Sequence, residues 1–277
     1  FDLRLLREAN ARYFWNRSAS LRGLFDADTG FLQGRNPDGS PTRSADDFDP
    51  RIWGGDYAET HAWGMAFSMA HDGAGLAELL GGEDELSAKL DRALHTPESA
   101  GRDVAGTYGQ VIHEMTEARN LRLGMIAMSN QPAHHIPYMF LHAGRPDRTQ
   151  WLTREILGRC FVGSDIGQGY PGDEDNGEMS AWWLWSALGL YPLQLGTGEF
   201  ALTAPLFERA SWRISDDATL TVVAHGAAEQ NRFIRRVEVN GEPWDTVTIP
   251  TELVRAGATI EMWLQDAPSA WGRDSRP

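Results

Sequence analysis

Residues 172–205 read GDEDNGEMSAWWLWSALGLYPLQLGTGEFALTAP, and this stretch contains the change of pattern that decides the fold. From Glu178 onward the apolar residues are spaced as on one face of a helix. From Phe200 onward apolar and polar residues alternate, with the period of a half-buried strand. The sequence therefore predicts that a helical region ends near residue 195 and that a region of strands follows it.

Upstream of this change the apolar spacing is mostly helical. In the first stretch Leu3, Leu6 and Tyr13 fall on one stripe, and the spacing recurs in YAETHAWGMAFSMA, DELSAKLDRALH, HHIPYMFLHAG and TQWLTREILGRCF. Long turn-rich loops separate these stretches, notably residues 34–56 and 162–177, and such loops on a helical scaffold often carry functional sites. We therefore expect a helical domain over residues 1–195.

Downstream of the change the chain is rich in Val, Ile, Thr and Trp, which alternate with polar residues in short runs. The pair Asn240-Gly241 lies between two such runs and is a strong signal for a two-residue hairpin. Residues 196–277 are therefore expected to form a small antiparallel sandwich or sheet. The predicted fold class is mainly α with a β tail.

The composition limits the possible partners. The chain has a formal net charge of −14, from 39 acidic against 25 basic residues, which argues against nucleic acid or an anionic membrane as a partner.

A single cysteine excludes an intrachain disulfide and a thiolate cluster for zinc, and no apolar run is long enough to span a membrane. The 11 tryptophans allow two interpretations, stacking on sugar rings or packing in a core.

Nothing in the first residues resembles a signal peptide, and Phe1 is not a natural start. The sequence is therefore expected to be processed or truncated, so the missing signal carries no information about where the protein acts.

The segment of residues 173–178 holds four carboxylates, Asp173, Glu174, Asp175 and Glu178. One interpretation is a capping box, in which Asp175 caps a helix and Glu178 occupies its third position. A cap does not require the other two acids. Carboxylates kept ionised near a helix N-terminus also suit a general base or a ligand for a hard cation. Both interpretations of the segment stay open on this pattern alone.

A second candidate carboxylate is Glu59, in GGDYAETHAWG. Tyr57, Trp63 and the apolar helix expected after them could desolvate the Glu59 carboxyl group, as a general acid requires. The alternative is a surface glutamate in the first turn of a helix that Asp56 caps.

A third candidate group lies in MSNQPAHHIPYM and comprises Asn130, Gln131, His134 and His135. Adjacent histidines on a helix point about 100° apart, so they do not easily share one ion, and no HExxH pattern for zinc is present. Amide and carbonyl oxygens combined with the acidic segment would suit calcium. The alternative, for whichever histidine faces inward, is a packed and hydrogen-bonded core residue.

Four motifs, taken in order, resemble those of glycoside hydrolase family 92, the α-mannosidases. They are DYAETHAW, HDGAGLAELLGG, SNQPAHHIPYMFLHAGRP and GDEDNGEMSAWWLWSALGLYP. The resemblance implies an (α/α)6 toroid with a β-sandwich before it and a small β region after it. It also implies that this chain is the C-terminal part of such a protein, and that the missing N-terminal half is its partner.

The resemblance further implies calcium-dependent, exo-acting hydrolysis of terminal α-mannosides with inversion, on oligosaccharides or N-glycans, by a secreted or periplasmic bacterial protein. Carried over by motif, Glu59 is the general acid and Asp173 with Asp175 is the general base. The implied Ca2+ ligands are Gln131, His134 and Asp175, and the implied substrate-binding residues are Asn130, Gln131, Trp63 and His135.

Two departures from the family pattern affect these expectations. Thr60-His61 replaces a Gly-Asn pair after the acid, and Gln131 replaces a glutamate. The second change counts against α-1,2 specificity, which leaves another linkage, a mannosyl phosphodiester or an inactive mannose-binding remnant as alternatives. Within the acidic segment Asp173 is then the expected base, Asp175 serves both as cap and in the site, and Glu178 helps to cap. Glu174 is the expected bystander.

Overall fold

A computed structural model describes residues 3–161 and 169–277 of the chain. The α-helices of these residues are α1 (Leu3–Ser18), α2 (Ala62–Met65), α3 (Gly73–Leu80), α4 (Glu83–His95), α5 (His113–Leu121), α6 (Pro146–Arg159), α7 (Glu178–Leu188) and α8 (Thr251–Arg255). Short 3-10 helices connect them, at Ala19–Leu24, Ala45–Asp47, Ala70–Asp72, Arg102–Val104, Gly106–Tyr108, Gln131–Ala133 and Ile136–Ala143. Residues 162–168, the first part of the predicted loop at 162–177, lie outside the described residues.

The predicted helical stretches form helices with one clear exception. In residues 57–70 only the single turn of α2 and the start of a 3-10 helix are helical. A bridge between Trp53 and His61, together with the bond from Gly54 N to Thr60 O (3.0 Å), closes residues 54–60 into a tight loop. This loop prevents a helix from starting at Tyr57, so the long helix predicted there is wrong.

The core of the helical region is built mainly from α3, α4, α6 and the 3-10 helix at 136–143, every residue of which is buried. Helix α1 forms as predicted, but its apolar stripe is not buried among the described residues. Leu6 is 42% exposed, Tyr13 55% and Trp15 80%. The α1 side chains that the structure describes are all exposed, so none of them is part of this core.

The strands are β1 (Phe25–Asp26), β2 (Phe31–Leu32), β3 (Leu190–Tyr191), β4 (Glu199–Leu202), β5 (Arg209–Arg213), β6 (Thr219–His225), β7 (Phe233–Val239), β8 (Glu242–Pro243), β9 (Thr248–Pro250) and β10 (Thr259–Gln265). They make a two-stranded sheet β1-β2, a five-stranded sheet β5-β6-β10-β7-β8 and a three-stranded sheet β3-β4-β9.

The β region differs from the expectation in one pairing. β7 and β8 form the predicted hairpin, with Asn240 (φ 52°) and Gly241 (φ 84°) as its two turn residues. β10, however, lies between β6 and β7 and runs parallel to β6. The purely antiparallel prediction is therefore wrong. The chain leaves this sheet after β8, forms β9 in the three-stranded sheet and α8, and returns as β10 parallel to β6.

Helix α6 joins the helical and strand regions. The Gln150 side-chain oxygen accepts a hydrogen bond from Ile234 N of β7 (2.9 Å), and the hydroxyl groups of Thr153 and Thr203 lie 2.8 Å apart. β3 precedes residue 196 and pairs with β4, which follows it. Whether residues 1–195 and 196–277 are separate domains stays a prediction.

No helix in residues 3–161 or 169–277 is long and apolar enough to cross a membrane.

Candidate active site

Glu59 is held in an unusual backbone conformation. Its φ of 54° is in the left-handed region, which costs a non-glycine residue about 1–3 kcal/mol. Its backbone nitrogen donates a hydrogen bond to the Tyr108 hydroxyl (2.9 Å), and its carbonyl oxygen accepts one from Asn130 Nδ2 (3.1 Å). Two side chains from distant parts of the sequence therefore fix both peptide groups of this residue.

The Glu59 side chain is exposed, and its Oε2 lies 3.3 Å from Asn130 Nδ2. The predicted desolvation by Tyr57 and Trp63 is wrong, because both of those side chains point into the core. Tyr57 donates its hydroxyl hydrogen to Leu32 O (2.8 Å), and Trp63 packs edge-on against Phe31 with ring centroids 4.8 Å apart. Glu59 is instead presented to solvent at the end of the tight loop.

Helix α2 is capped by His61, so the predicted cap at Asp56 is wrong. The His61 Nδ1 accepts a hydrogen bond from Gly64 N (3.1 Å), and Nε2 lies 3.2 Å from Oε2 of the buried Glu98. The Asp56 carboxylate accepts hydrogen bonds from Gly34 N (3.1 Å) and from the Thr42 hydroxyl group. These contacts anchor the loop that carries Glu59 from both sides.

Asn130 and Gln131 connect Glu59 with the acidic segment. Asn130 is buried, and its Oδ1 accepts a hydrogen bond from Gln131 N (3.0 Å) while its Nδ2 reaches Glu59. Gln131 Nε2 donates to the carboxylate of Asp175. Two consecutive residues therefore contact the predicted acid on one side and a predicted base residue on the other.

The acidic segment lies directly against this pair. A Cβ atom at Gly172 would be 2.2 Å from the carbonyl oxygen of Ser129, so only glycine permits so close an approach. Asp173 follows and is exposed. The hydrogen bond from His113 to Glu117 raises the pKa of His113, and the charges of Glu114, Glu117 and Asp173 raise it further. Asp173 is thus near a histidine that retains its proton more readily than an isolated one.

Glu174 is the residue that caps α7. Its carboxylate accepts hydrogen bonds from Gly177 N (2.7 Å), Ser180 N (3.2 Å) and Ser180 Oγ (2.7 Å). The bond from the Ser180 hydroxyl, with those from the two backbone N–H groups, lowers the pKa of Glu174. The expectation that Glu174 is a solvated bystander is therefore wrong.

The predicted capping box of Asp175 and Glu178 is also wrong. α7 begins at Glu178, with Gly177 at the N-cap position, and Asp175 has a left-handed φ of 56°. That backbone turn directs Asp175 to Gln131 and leaves Glu178 to contact His134, whose Nδ1 is 2.7 Å from Glu178 Oε1.

Three of the other predicted residues are directed toward the protein interior. The His134 Nε2 lies 3.4 Å from the Met128 carbonyl oxygen, so both of its ring nitrogens are in contact with oxygens. His135 Nε2 donates to Phe67 O (2.8 Å), and burial lowers the pKa of His135. Trp63 is 8% exposed. The structure therefore brings Glu59, Asn130, Gln131 and Asp175 together at one place. The rings of His135 and Trp63 instead pack in the protein core.

The donor set at this place suits a hard cation in part. The Asp175 carboxylate there offers the oxygen ligands that Ca2+ prefers, but Gln131 faces it with its amide nitrogen and would have to turn its oxygen toward an ion. His134 would have to leave Glu178 or Met128 before a ring nitrogen could reach an ion. Within residues 3–161 and 169–277 no group of three or more His, Cys, Asp or Glu side chains is arranged to hold a metal.

Sequence reasoning missed the residues that support the candidate acid. Tyr108 is 49 positions from Glu59, and Glu98 is 37 positions from His61. Neither belongs to a recognisable motif, and helical or strand periodicity cannot pair residues across such separations. Both contacts, of Tyr108 with Glu59 and of Glu98 with His61, are visible only in the folded structure.

Comparison with known proteins agrees with the motifs. A curated relative, an uncharacterized secreted glycosidase from Arthroderma benhamiae, is 24% identical over 96% of this chain and 34% of its own length. A family GH92 α-mannosidase from Bacteroides thetaiotaomicron, solved with mannoimidazole, has the same fold, with a TM-score of 0.85 at 23% identity over 98% of this chain and 34% of that one. The family GH92 inverting mannosidase of the same organism gives a TM-score of 0.81 at 29% identity over 99% and 36%.

This chain spans about a third of the length of these relatives. The family described as "Glycosyl hydrolase family 92 catalytic domain" matches residues 3–266, nearly all of the sequence. The chain therefore belongs to glycosyl hydrolase family 92.

Proposed function

We propose that the protein is a calcium-dependent, exo-acting α-mannosidase that hydrolyses terminal α-mannosides with inversion. The observation that carries this proposal is the contact of Asn130 with Glu59 and of Gln131 with Asp175. It gives one site two carboxylates on separate segments, which is the requirement of glycoside hydrolysis. The names of the solved relatives, an α-mannosidase and an inverting mannosidase, support the sugar and the stereochemistry.

In this mechanism Glu59 is the general acid and Asp173 with Asp175 is the general base. The protonated Glu59 carboxyl group donates its proton to the leaving oxygen, and the opposite carboxylate takes a proton from the attacking water. Inverting enzymes leave about 6.5–9.5 Å between the two carboxyl groups for that water. The Asn130 amide orients Glu59, and the Gln131 amide orients Asp175.

The proposed calcium ion would be held by Asp175 and, once its side-chain oxygen turned toward the ion, by Gln131. His134 stays a predicted third ligand, and it would exchange its contact with Glu178 for the ion. When bound, the ion would fix two hydroxyl groups of the sugar and favour the flattened ring of the transition state. Asn130, Gln131, Trp63 and His135 remain the proposed substrate contacts, of which the first two lie at the site as folded.

We further propose that residues 1–195 are part of an (α/α)6 toroid completed by an N-terminal half. The exposed aromatic residues of α1 support this, since Tyr13, Phe14 and Trp15 present an uncovered apolar surface. The proposed substrates are α-mannoside oligosaccharides or N-glycans. A secreted or periplasmic location is supported by the relative named a secreted glycosidase.

The deciding experiment measures mannose release from an aryl α-mannoside by the full-length protein, before and after thorough metal removal with EDTA. We expect activity that is lost on chelation and restored by Ca2+, with β-mannose as the first product seen by NMR. Activity that persists without metal would remove the role of calcium. If α-mannose is the first product, the anomeric configuration is retained and the proposed inversion is wrong.

The same assay tests the alternatives. A mannosyl phosphodiester has a good leaving group and scarcely requires an acid, so a preference for that substrate would point to an uncapping enzyme. A full-length protein that binds mannose without releasing it from any substrate would identify an inactive remnant. The presence of Glu59, held by two hydrogen bonds to its backbone, favours ordinary glycosides.

A further inference from the structure

A cleft of about 590 Å3 lies between α6 and two loops of the strand region, and it shares no residue with the candidate active site. The loops are those around residues 206–208 and 227–232. Three arginines and three glutamates provide its charged lining, namely Arg154, Arg159, Arg232, Glu155, Glu208 and Glu229.

Arg154 is the unusual residue of this cleft. Its side chain is buried, with 6% of the residue exposed, and it donates hydrogen bonds to the carbonyl oxygens of Pro205 (2.9 Å) and Ala228 (3.1 Å). No carboxylate of the described residues lies within ion-pair distance of it. Burying a charge without a counter-charge is costly, and arginine retains its proton. Burial, aided by the nearby charge of Arg232, lowers the pKa of Arg154, and the charge of Glu229 opposes this shift.

None of the described carboxylates of the cleft forms an ion pair with Arg154, although the charge of Glu229 acts on it. Arg159 and Arg232 both pair with Glu155, at 2.9 Å and 2.8 Å. Glu208 and Glu229 are exposed at the rim, and neither makes an ion pair among the residues described. Arg159 is exposed as well, so the charged lining residues below the rim are Arg154, Arg232 and Glu155, two guanidinium groups against one carboxylate.

We propose that this cleft binds an oxyanion, the phosphate or carboxylate group of a small ligand, against Arg154. A guanidinium offers a planar set of donors that matches both groups. Its two carbonyl contacts fix the plane of the Arg154 side chain before any ligand arrives. The rim glutamates disfavour long polyanions, which agrees with the net charge of −14.

Gly158 provides a test that leaves the core intact. It lies one helical turn after Arg154 on α6 and lines the cleft, and no atom lies within 4 Å of the position its Cβ would take. Gly158→Glu therefore places a carboxylate in the cleft without a clash. Gly158→Ala adds a methyl group and no charge, and serves as the matched control.

The experiment is calorimetric titration of the full-length protein with inorganic phosphate and, separately, with acetate. We expect saturable phosphate binding that Gly158→Glu and Arg154→Gln weaken at least tenfold and that Gly158→Ala leaves unchanged. Arg236 of β7 pairs with Glu238 and does not line the cleft, so Arg236→Gln is a second control and should bind phosphate as the wild type does. A stronger response to acetate would identify the carboxylate as the preferred group. If Arg154→Gln does not fold, Gly158→Glu decides alone. Absence of binding to either anion, or equal binding by Gly158→Glu, would overturn the proposal, whatever the outcome of the mannose-release assay.

Discussion

The hydroxyl oxygen of Tyr108 accepts a hydrogen bond from the backbone nitrogen of Glu59 over 2.9 Å. Asn130 holds the carbonyl side of the same residue at 3.1 Å. Because Glu59 is in the left-handed region, its conformation depends on these outside contacts. Tyr108 and Asn130 are thus positioning residues for the proposed acid, and neither role requires contact with substrate.

Tyr108→Phe removes one of these contacts. A single intramolecular hydrogen bond is worth about 1 kcal/mol, so we expect kcat on an alkyl mannoside to fall about fivefold with little change in KM. Steady-state kinetics of the variant measure this split. Thr246→Val removes one hydroxyl hydrogen bond, to Thr248 O (3.0 Å), in the strand region, so it is the matched control and should behave as the wild type. An unchanged kcat in Tyr108→Phe would remove the positioning role.

Glu59→Gln tests the acid itself. General acid catalysis contributes about 10²–10⁴-fold, and it matters most when the leaving group is poor. We therefore expect at least a hundredfold loss of kcat/KM on an alkyl mannoside, and a much smaller loss on a dinitrophenyl mannoside. Comparing the two substrates gives the answer. Equal losses on both would show that Glu59 does not donate the proton.

Asp173 and Asp175 can be separated by their response to calcium. Asp175 contacts Gln131, whereas Asp173 is exposed beside His113. Asp175→Asn should raise the Ca2+ concentration needed for half-maximal activity about tenfold or more, because it removes a charged ligand. Asp173→Asn should abolish turnover without changing Ca2+ binding, measured by calorimetry. If Asp173→Asn weakens Ca2+ binding and Asp175→Asn does not, Asp173 is the calcium ligand and Asp175 is the base.

The hairpin at Asn240-Gly241 was predictable because the two positive φ angles of its turn are a local requirement that these residues meet. The parallel position of β10 was not, since it depends on where the chain re-enters the sheet after forming β9 in the other sheet, and not on any periodicity in the strand. Local chemistry thus fixed the turn, and the order of strands was decided by tertiary packing.

The candidate site shows the same division. The motifs identified Glu59 and the acidic segment, but the roles within the segment depend on backbone turns at Asp175 and Gly177. Those turns bring Glu174 to the helix N-terminus and direct Asp175 to Gln131. A capping box is recognised by residue spacing alone. Here Asp175 and Glu178 have that spacing, but the left-handed backbone at Asp175 and Gly177 keeps Asp175 from the N-cap position.

The corrected cap predicts the behaviour of Glu174→Ala. The variant leaves Gly177 N and Ser180 N without their acceptor, so α7 should begin later and the melting temperature should fall. Asp216→Ala, in the exposed turn before β6, is the control and should melt as the wild type does. Calorimetric scans of both variants make the comparison. An unchanged melting temperature in Glu174→Ala would show that Glu174 is not the residue that caps α7.

His142 should make the stability of the protein depend on pH. The residue is 3% exposed. Its ring packs so closely against Gly73 that a Cβ there would lie 2.1 Å from it, and its Nε2 has no hydrogen-bond partner among the described residues. Burial lowers the pKa of His142 from 6.5 to about 4, with Asp72 opposing the shift and Arg276 adding to it. Between these values the unfolded chain binds a proton that the folded chain does not, so stability is complete above pH 6.5 and is lost as the pH falls toward 4.

At about 1.4 kcal/mol per pKa unit, this shift amounts to about 3 kcal/mol of unfolding free energy across that window. His142→Leu removes the titrating group, so the free energy of unfolding of the variant should fall about 3 kcal/mol less than that of the wild type between pH 6.5 and 4. Urea unfolding at a series of pH values measures the difference, and subtraction cancels the contribution of the carboxylates. Parallel curves for wild type and His142→Leu would show that the folded protein accommodates a charged imidazole at this position.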